Sequence, residues 1–375
     1  MKFTINKESL LNKLKFCNEI VDSSSINPIL SNLLINVNED NIEFICSNQL
    51  ISSKITIRNN ISISSTGSIL IKTNLLFNII SKINEDKITF DLVDNSIIHI
   101  STNKFTLDLN VLESYSYPVI NFSFENKNKI TINKKLFNKI TNKTSLTVLE
   151  SSDQTNIFTG INLNSSRLDN KIEVLSTDSY HLSYLQEDFT NDKFDITLSL
   201  KVVKLINSLL KESKSDCNFY LDQNNILFEI NDTIISTRLL DGKYHSSPYK
   251  ILQNTYPYSF ITSKKEMIDS INRGLVLLSS DNSKKPTVQI IINNKELNLN
   301  FKSIELGSCY EKINIDGYKG NNIQIILNIK YLLDLLREIE TDKIEFHFIN
   351  ERGPILIKEV NDKNFITLIS PCGNN

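Results

Sequence analysis

The residues most able to do chemistry lie close together between positions 176 and 182. Asp178 and His181 supply a carboxylate and an imidazole. Ser176 or Ser179 could supply a nucleophilic hydroxyl and complete the three groups of a hydrolase triad. A triad requires the side chains to converge in space, whereas adjacent residues of a strand point to opposite faces. A hydrolase that uses Asp178 and His181 is therefore an alternative function, and it predicts turnover that His181→Ala abolishes.

Other signatures of catalysis or metal binding are missing from the sequence. It contains no GxxxxGK[ST] phosphate loop, no HExxH and no cluster of carboxylates at metal-ligand spacing. His99 and His347 fall in expected strands as ordinary positions. The cysteines are far apart and form no CxxC pair, which favours a reducing compartment without a disulfide frame or zinc site; they are Cys17, Cys46, Cys217, Cys309 and Cys372. We expect no cofactor and no metal.

Composition indicates a soluble globular protein. The chain has 375 residues, of which 40% are hydrophobic, and a formal net charge of −2, so it is no indiscriminately basic nucleic-acid coat. The start MKFTINKESLL lacks the apolar core of a signal peptide. No apolar run approaches the roughly 18 residues of a membrane span. We therefore expect a cytoplasmic protein with no membrane partner.

The sequence repeats itself three times, and the repeats must position the residues named above. Three stretches open with a short strand, an Asn or Ser that could cap a helix, and apolar residues at helical spacing. They are FTINKESLLNKLKFCNEI from Phe3, ITINKKLFNKITNKTSLTV from Ile130 and ITSKKEMIDSINRGLVLL from Ile261. The offset of about 130 residues is far longer than the roughly 20–50 residues of a solenoid repeat.

A second helix and a hairpin recur about 65 residues into each copy. The helices are IKTNLLFNIISKI from Ile71, LKVVKLINSLLKE from Leu200 and LNIKYLLDLLREI from Leu327. Hairpins follow from Lys87, Cys217 and Lys343, where apolar residues alternate around a polar turn. The pattern predicts an α+β fold of three repeated domains at 1–125, 126–252 and 253–375. Each domain would hold two helices and about eight antiparallel strands.

The six expected helices are more basic than the rest of the chain. Taken as 7–20, 74–83, 134–146, 200–212, 264–280 and 329–340, they hold sixteen Lys or Arg and eight Asp or Glu. They therefore carry +8, and the remainder carries −10. If the helices share one surface, that surface would meet phosphates electrostatically and without reading sequence. No base-reading module accompanies them.

Several short motifs follow one another from the first residue nearly to the last. They are MKFTIxxxxLL with Asn27-Pro28-Ile29-Leu30, Ser176–Leu182 (STDSYHL), Leu239–Tyr244 (LLDGKY), Leu327–Asp334 (LNIKYLLD) and Leu368–Pro371 (LISP). In their sequence and order these motifs resemble the bacterial DNA polymerase III beta subunit, a sliding clamp family.

The resemblance implies three clamp-type domains, each with two helices facing inward and antiparallel sheets facing outward. Two chains would close head-to-tail into a ring around duplex DNA, bound without sequence preference. The ring would act as a processivity factor without an active site of its own. It would tether the replicative polymerase, the clamp loader and other proteins that carry a clamp-binding motif. The rival from another class is a repeat-built, β-rich binding protein with no DNA role.

The family also implies a groove for partner peptides between the second and third domains. Its residues here would be Phe158, Leu175, Thr177, Ser179, Tyr180, His181, Leu182, Ile251, Asn328, Tyr331, Pro354, Leu368, Ser370 and Cys372. Apolar walls with a few polar groups suit peptide anchors. The DNA-facing candidates are basic residues of the helices, namely Lys134, Lys135, Lys139, Lys143, Lys201, Lys204, Lys264 and Arg273.

This chain departs from the family pattern around the same groove. Ser179 replaces a Gly and His181 replaces an Arg. His245 stands where a Pro is usual, and an extra residue falls between His245 and Pro248, which shifts the register onto Ile251. The ending from Ser370 to Asn375 lacks the usual second apolar residue and Arg, so the groove would be more polar. Basic residues that the family carries near positions 24 and 155 are absent.

Overall fold

The structure is a computed structural model that divides into two compact units. Unit 1 comprises Met1–Lys134 and Lys204–Leu239, and unit 2 comprises Lys135–Val203 and Leu240–Asn375. The described residues are 1–22, 27–125, 127–151, 153, 155–222, 224–244, 247–279, 286–293, 296–318 and 320–373. His245 and position 24 lie outside them, and so do the last two residues of the chain.

All six expected helices are present, with bounds within two residues of the prediction. In chain order the helices are α1 Lys7–Ile20, α2 Thr73–Lys82, α3 Lys134–Thr144, α4 Leu200–Glu212, α5 Ser247–Leu252, α6 Lys264–Ser279 and α7 Ile329–Glu338. The sequence did not predict α5, because six residues are too few to show helical periodicity. The expected N-caps form in the first and third copies. The Asn6 side chain accepts from the Ser9 N–H (3.1 Å), and the Ser263 hydroxyl accepts from the Glu266 N–H (3.3 Å).

The strands follow the same threefold order. The first copy holds β1 Lys2–Asn6, β2 Asn32–Val37, β3 Ile42–Ser47, β4 Ile51–Ile57, β5 Ile61–Ser65, β6 Gly67–Lys72, β7 Lys87–Asp94, β8 Ile97–Ser101, β9 Thr106–Asn110 and β10 Leu112–Glu113. The second holds β11 Lys129–Ile132, β12 Gly160–Asn164, β13 Lys171–Thr177, β14 His181–Asp188, β15 Asp195–Ser199, β16 Cys217–Leu221, β17 Asn225–Ile230 and β18 Thr233–Arg238. The third holds β19 Tyr258–Ser263, β20 Thr287–Asn293, β21 Glu296–Ser303, β22 Gly307–Asn314, β23 Ile323–Asn328, β24 Lys343–Phe348, β25 Ile355–Glu359 and β26 Phe365–Ile369.

These strands form two antiparallel sheets in each unit. Unit 1 has a five-stranded sheet in the order β5-β1-β7-β8-β9 and a nine-stranded sheet in the order β10-β6-β2-β3-β4-β18-β17-β16-β11. Unit 2 has an eight-stranded sheet, β15-β12-β13-β14-β26-β25-β24-β19, and a four-stranded sheet, β22-β21-β20-β23. The three expected hairpins occur as β7–β8, β16–β17 and β24–β25. The α+β, antiparallel prediction is confirmed.

Each of the two long sheets joins consecutive copies of the repeat. In unit 1, β4 of the first copy pairs with β18 of the second, with Ile55 opposite Thr233. In unit 2, β14 of the second copy pairs with β26 of the third, with Leu182 opposite Leu368. The second copy therefore contributes strands to both units. The two boundaries near 126 and 253 that divide the chain into three domains stay a prediction.

Helix α6 shows how the helices pack on the sheets. Met267, Ile271 and Leu278 face the core at helical spacing and are buried. Gly274 lies on the same face, and a Cβ placed on it would come within 2.4 Å of the Phe301 ring on β21. Only a residue without a side chain lets the helix approach this strand so closely.

We expect Gly274→Ala to lower the free energy of unfolding by about 1–3 kcal/mol, because the added methyl group overpacks the Phe301 contact. Urea denaturation measures the change. The control is Asn272→Ala on the exposed side of the same helix, which we expect to leave stability unchanged or slightly raised. A Gly274→Ala protein as stable as this control would contradict the packing.

Candidate functional site

The candidate site is built on the turn that connects β13 and β14. The Thr177 hydroxyl accepts from the Ser179 N–H (3.0 Å) and donates to the His181 carbonyl (2.7 Å). One carboxylate oxygen of Asp178 accepts from the backbone N–H groups of Tyr180 and His181 at 2.8 and 2.9 Å. Ser179 has a φ of +78°, a conformation that favours glycine. The departure from Gly at this position therefore keeps the backbone shape that glycine would adopt.

His181 is held by acceptors on both ring nitrogens. Its Nδ1 lies 2.7 Å from Asp178 Oδ1, and its Nε2 lies 3.2 Å from the Leu146 carbonyl oxygen. The Ser176 hydroxyl instead donates to the Thr144 carbonyl at 2.7 Å. A triad needs a serine hydroxyl on the imidazole nitrogen opposite the carboxylate. That nitrogen faces a carbonyl here, so the groups proposed for a hydrolase do not form its geometry.

Aromatic rings cover the turn. The Tyr331 ring of α7 stacks on His181 with centroids 4.3 Å apart, and it lies 6.1 Å from the Tyr180 ring. Burial opposes ionisation of Asp178, but the hydrogen bonds from His181 and Tyr180 outweigh it and lower the pKa of this carboxyl. Burial, followed by the nearby Asp178 charge, raises the pKa of the Tyr331 phenol. The polar groups of this turn are therefore fixed in position, and most of their hydrogen bonds are made within the protein.

A cavity of about 330 Å³ opens beside this turn, in unit 2. Its lining includes ten of the fourteen residues predicted for the groove, which are Phe158, Thr177, Ser179, Tyr180, His181, Leu182, Ile251, Pro354, Leu368 and Ser370. Three further lining residues were not predicted. Tyr244 and Pro248 belong to the segment whose register was shifted, and Arg352 comes two residues before the predicted Pro354.

The four remaining predicted residues support the cavity rather than line it. Leu175 belongs to the buried cluster beneath it. Asn328 caps α7 by accepting from the Lys330 and Tyr331 N–H groups. Tyr331 stacks on His181 as described. The Cys372 N–H donates to the Ile326 carbonyl at 2.8 Å, which fixes the segment after β26 against β23.

One wall of the cavity is positioned by a cation–π contact. The Arg167 guanidinium lies 3.7 Å from the centroid of the Tyr249 ring on α5. Arg167 also forms an ion pair with the buried Glu173 (2.7 Å), which accepts from the Tyr184 hydroxyl (2.7 Å). These contacts anchor α5, the short helix that carries Pro248 and Ile251 to the cavity.

Lys143 does not fit its predicted DNA-facing role. Its side chain is only 3% exposed, and its ammonium lies 2.8 Å from Glu359 and 3.2 Å from Glu340. The same group donates to the Glu338 carbonyl at the end of α7 (2.6 Å). Removing an ion from water costs several kcal/mol unless partners compensate, and these three oxygens are the compensating partners. The ammonium therefore stabilises the interior and cannot reach a phosphate.

The other basic candidates differ in how far they are engaged. Lys139 pairs with Glu187, and Arg273 pairs with Glu311 through two nitrogens. The ammonium groups of Lys134 and Lys264 donate to backbone carbonyls. Lys135 and Lys204 are exposed, and Lys201 is half-buried. Their role in DNA contact stays a prediction.

Comparison with known proteins places the chain in a family. Models of the N-terminal, central and C-terminal domains of the DNA polymerase III beta subunit match residues 1–121, 131–246 and 254–372. The chain belongs to the DNA polymerase III beta subunit family. Its function is that of a DNA sliding clamp, as the relatives' names indicate.

Relatives match over the whole clamp. The beta sliding clamp of Mycoplasma capricolum is 27% identical over 385 residues, covering 99% of each chain. The DNA polymerase III beta chain of Streptococcus pneumoniae superposes with a TM-score of 0.92 at 24% identity, covering all of both chains. The DNA polymerase sliding clamp of Bacillus subtilis does so with a TM-score of 0.91 at 23% identity, again over both full lengths. The predicted clamp fold is confirmed.

Two absences accompany this fold. Within the described ranges, no three His, Cys, Asp or Glu side chains lie close enough to hold a metal ion. No helix in the described part of the clamp is long and apolar enough to cross a membrane.

We expect Glu338→Gln to stabilise the clamp more at pH 8 than at pH 5. Burial raises the pKa of the Glu338 carboxyl well above its usual range, against the hydrogen bond from Ser183. As pH rises above about 4.3, the unfolded chain therefore loses this proton before the folded one does, and stability falls. The Glu338→Gln variant does not show this fall in stability. The difference in the free energy of unfolding between the variant and wild type therefore grows by at most about 1.4 kcal/mol per pH unit.

Urea denaturation at the two pH values measures the effect. The matched control is Glu150→Gln, whose carboxylate is exposed. A pH dependence of stability that is equal in wild type, Glu338→Gln and the control would contradict the raised pKa of the buried Glu338 carboxyl.

Proposed function

We propose that this sliding clamp works as a ring of two copies joined head-to-tail around duplex DNA, and that it tethers the replicative polymerase, the clamp loader and other motif-bearing partners. The strand order supports the ring, because two strands lie at sheet edges although the equivalent strands of the other copies are paired. At each junction between consecutive copies, the fourth strand of one copy pairs with the last strand of the next copy. These pairs are β4 with β18 and β14 with β26.

The third copy and the first copy each keep one such strand at a sheet edge. The strand of the third copy equivalent to β4 and β14 is β22, which ends the four-stranded sheet. The strand of the first copy equivalent to β18 and β26 is β9, which ends the five-stranded sheet. Exposed edges can pair with another chain. A second molecule that pairs its β9 with β22, and the reverse, would repeat the internal junction and close a heterologous contact after two copies.

Apolar surface accompanies both edges. Next to β9, unit 1 has an open cavity of about 770 Å³, which Ile79, Ile83, Phe105 and Leu107 line together with Asn and charged residues. Near β22, unit 2 exposes Ile304, Leu306, Tyr310 and Val276 of α6. Clusters of exposed apolar side chains, unlike single ones, often mark interaction sites. The two surfaces differ, as a head-to-tail contact requires.

Duplex binding would use the excess positive charge of the helices. Exposed members such as Lys135 and Lys204 can meet phosphates, whereas the paired or buried cations contribute less. Such contacts are weak and mobile, which suits sliding, because a closed ring retains DNA by topology. We further propose that the clamp has no active site of its own and works in the cytoplasm.

The cavity beside His181 would be the groove for partner peptides. Leu182, Leu368 and Ile251 offer apolar walls, and the Ser179–Ser370 side offers hydroxyl groups. A pocket that is mostly apolar with few polar groups fits aliphatic or aromatic anchors beside a polar side chain.

The ring predicts a particle of about twice the 42.9 kDa chain mass. We expect Val276→Asp to shift it to the monomer, because the charge would be buried against the partner copy. Val276 is 70% exposed, so the change should leave the fold intact. Sedimentation velocity measures the mass, with Val119→Asp as control, since Val119 is fully exposed in unit 1. A dimer unaffected by Val276→Asp, or a wild-type monomer at micromolar concentration, would contradict this ring contact.

The groove predicts that a short peptide with a Gln and aliphatic or aromatic anchors binds the clamp. We expect Leu182→Asp to weaken binding at least 10-fold, because binding would bury the new carboxylate against an apolar anchor of the peptide and remove its water. Tyr331→Ala should weaken binding less, because it removes only the ring that stacks on His181. Calorimetric titration measures both, and Val119→Asp, at a fully exposed position of unit 1, is the control. Unchanged affinity in Leu182→Asp would exclude this cavity as the groove.

A further inference from the structure

The cavity beside His181 has few polar groups left for a ligand. His181 is engaged by Asp178 and Leu146, and Thr177 by Ser179 and His181. The Tyr244 hydroxyl donates to the Gly160 carbonyl at 3.0 Å. Among the described lining residues there is no Asp or Glu. Their remaining side-chain donors are the hydroxyls of Ser179, Ser370 and Tyr180 and the guanidinium of Arg352.

Arg352 is held at the rim by its backbone while its side chain is uncommitted. It lies in the turn between β24 and β25, where the N–H groups of Arg352 and Gly353 donate to the Asn350 side-chain oxygen at 2.9 and 2.8 Å. The residue is exposed. Among the described residues no carboxylate comes within 4.0 Å of its guanidinium, although Glu351 is its neighbour in sequence. The turn thus fixes where the guanidinium can reach, and the group is available to a ligand.

We propose that the partner peptide of this groove carries a carboxylate, which Arg352 binds beside the apolar anchors. This inference rests on the proposed peptide groove and specifies its ligand. A guanidinium matches a carboxylate with two parallel N–H···O bonds, so it selects this group by shape as well as by charge. The carboxylate comes from an acidic side chain or from the C-terminus of the partner.

The surroundings favour an anion over a cation. The described lining residues include a positive charge at Arg352 and no carboxylate to oppose it. A peptide lysine at the same place would meet this charge without compensation, which costs affinity. Among the described lining residues, Arg352 is the positive group that this groove offers.

The test is a peptide scan by calorimetric titration of the full-length clamp. A reference peptide has a Gln, the apolar anchors, neutral spacers and an amidated C-terminus. Asp, Asn or Lys replaces each non-anchor position in turn, and a parallel set has a free C-terminus. We expect one acidic placement, internal or terminal, to bind about 3- to 10-fold tighter than its Asn or amidated counterpart at low salt. The internal and terminal sets distinguish the two sources of the carboxylate.

Variants of the clamp assign the preference to Arg352. Arg352→Gln should remove the acidic advantage and leave the reference peptide's affinity within about twofold. Arg352→Glu should reverse it, so that the Lys peptide binds more tightly than the Asp peptide. Arg58→Gln, an exposed arginine of unit 1, should behave as wild type.

Two failures are distinguishable. If the reference peptide binds and no acidic placement distinguishes wild type from Arg352→Gln, the carboxylate proposal is wrong while the groove stands. If no peptide binds wild type, or Leu182→Asp leaves binding unchanged, the groove itself is wrong and the inference falls with it.

Discussion

The pairing of β14 with β26 is the contact on which the candidate groove depends. It aligns residues nearly 190 positions apart in sequence, and it sets Leu182 beside Leu368 on one continuous sheet. Because neighbouring strands lie about 4.8 Å apart, this register fixes the spacing of the apolar walls before any partner arrives. The Ser370 N–H then donates to the Tyr180 carbonyl at 2.8 Å, which ties the end of β26 to the turn. The same kind of junction, between β4 and β18, organises unit 1.

A buried ionic contact reinforces this junction on the helix side. Lys143 of α3 reaches across to Glu359 on β25 and to the end of α7, and its ammonium lies 4.6 Å from the centroid of the Phe365 ring. A buried pair of this kind contributes little net stability, since desolvation offsets much of the attraction. Its effect here is to fix how α3 and α7 meet, and hence where Tyr331 lies over His181. Positive charge on a clamp helix can therefore serve the interior as well as DNA.

The sequence predicted the regular elements well and the site in part. Periodicity located α1 and α7 within two residues, because helices of ten or more residues repeat their apolar face enough to be recognised. It did not predict α5, because this short helix shows no periodicity and is held in place by its contacts with the rest of unit 2. Motif order found most of the cavity lining, but not Arg352, since nothing local distinguishes a rim guanidinium from a solvated one. Lys143 was assigned wrongly for the same reason: its partner Glu359 lies 216 residues away.

Retention on circular DNA tests the central claim of a closed ring most directly. The clamp would be loaded onto a nicked circular plasmid with the proposed clamp loader, separated from free protein by gel filtration, and divided into untreated and linearised samples. A closed ring predicts that the clamp stays with the circle and leaves the linear molecule, since it would hold DNA by topology through weak phosphate contacts. Equal retention on both, or equal loss from both, would contradict it.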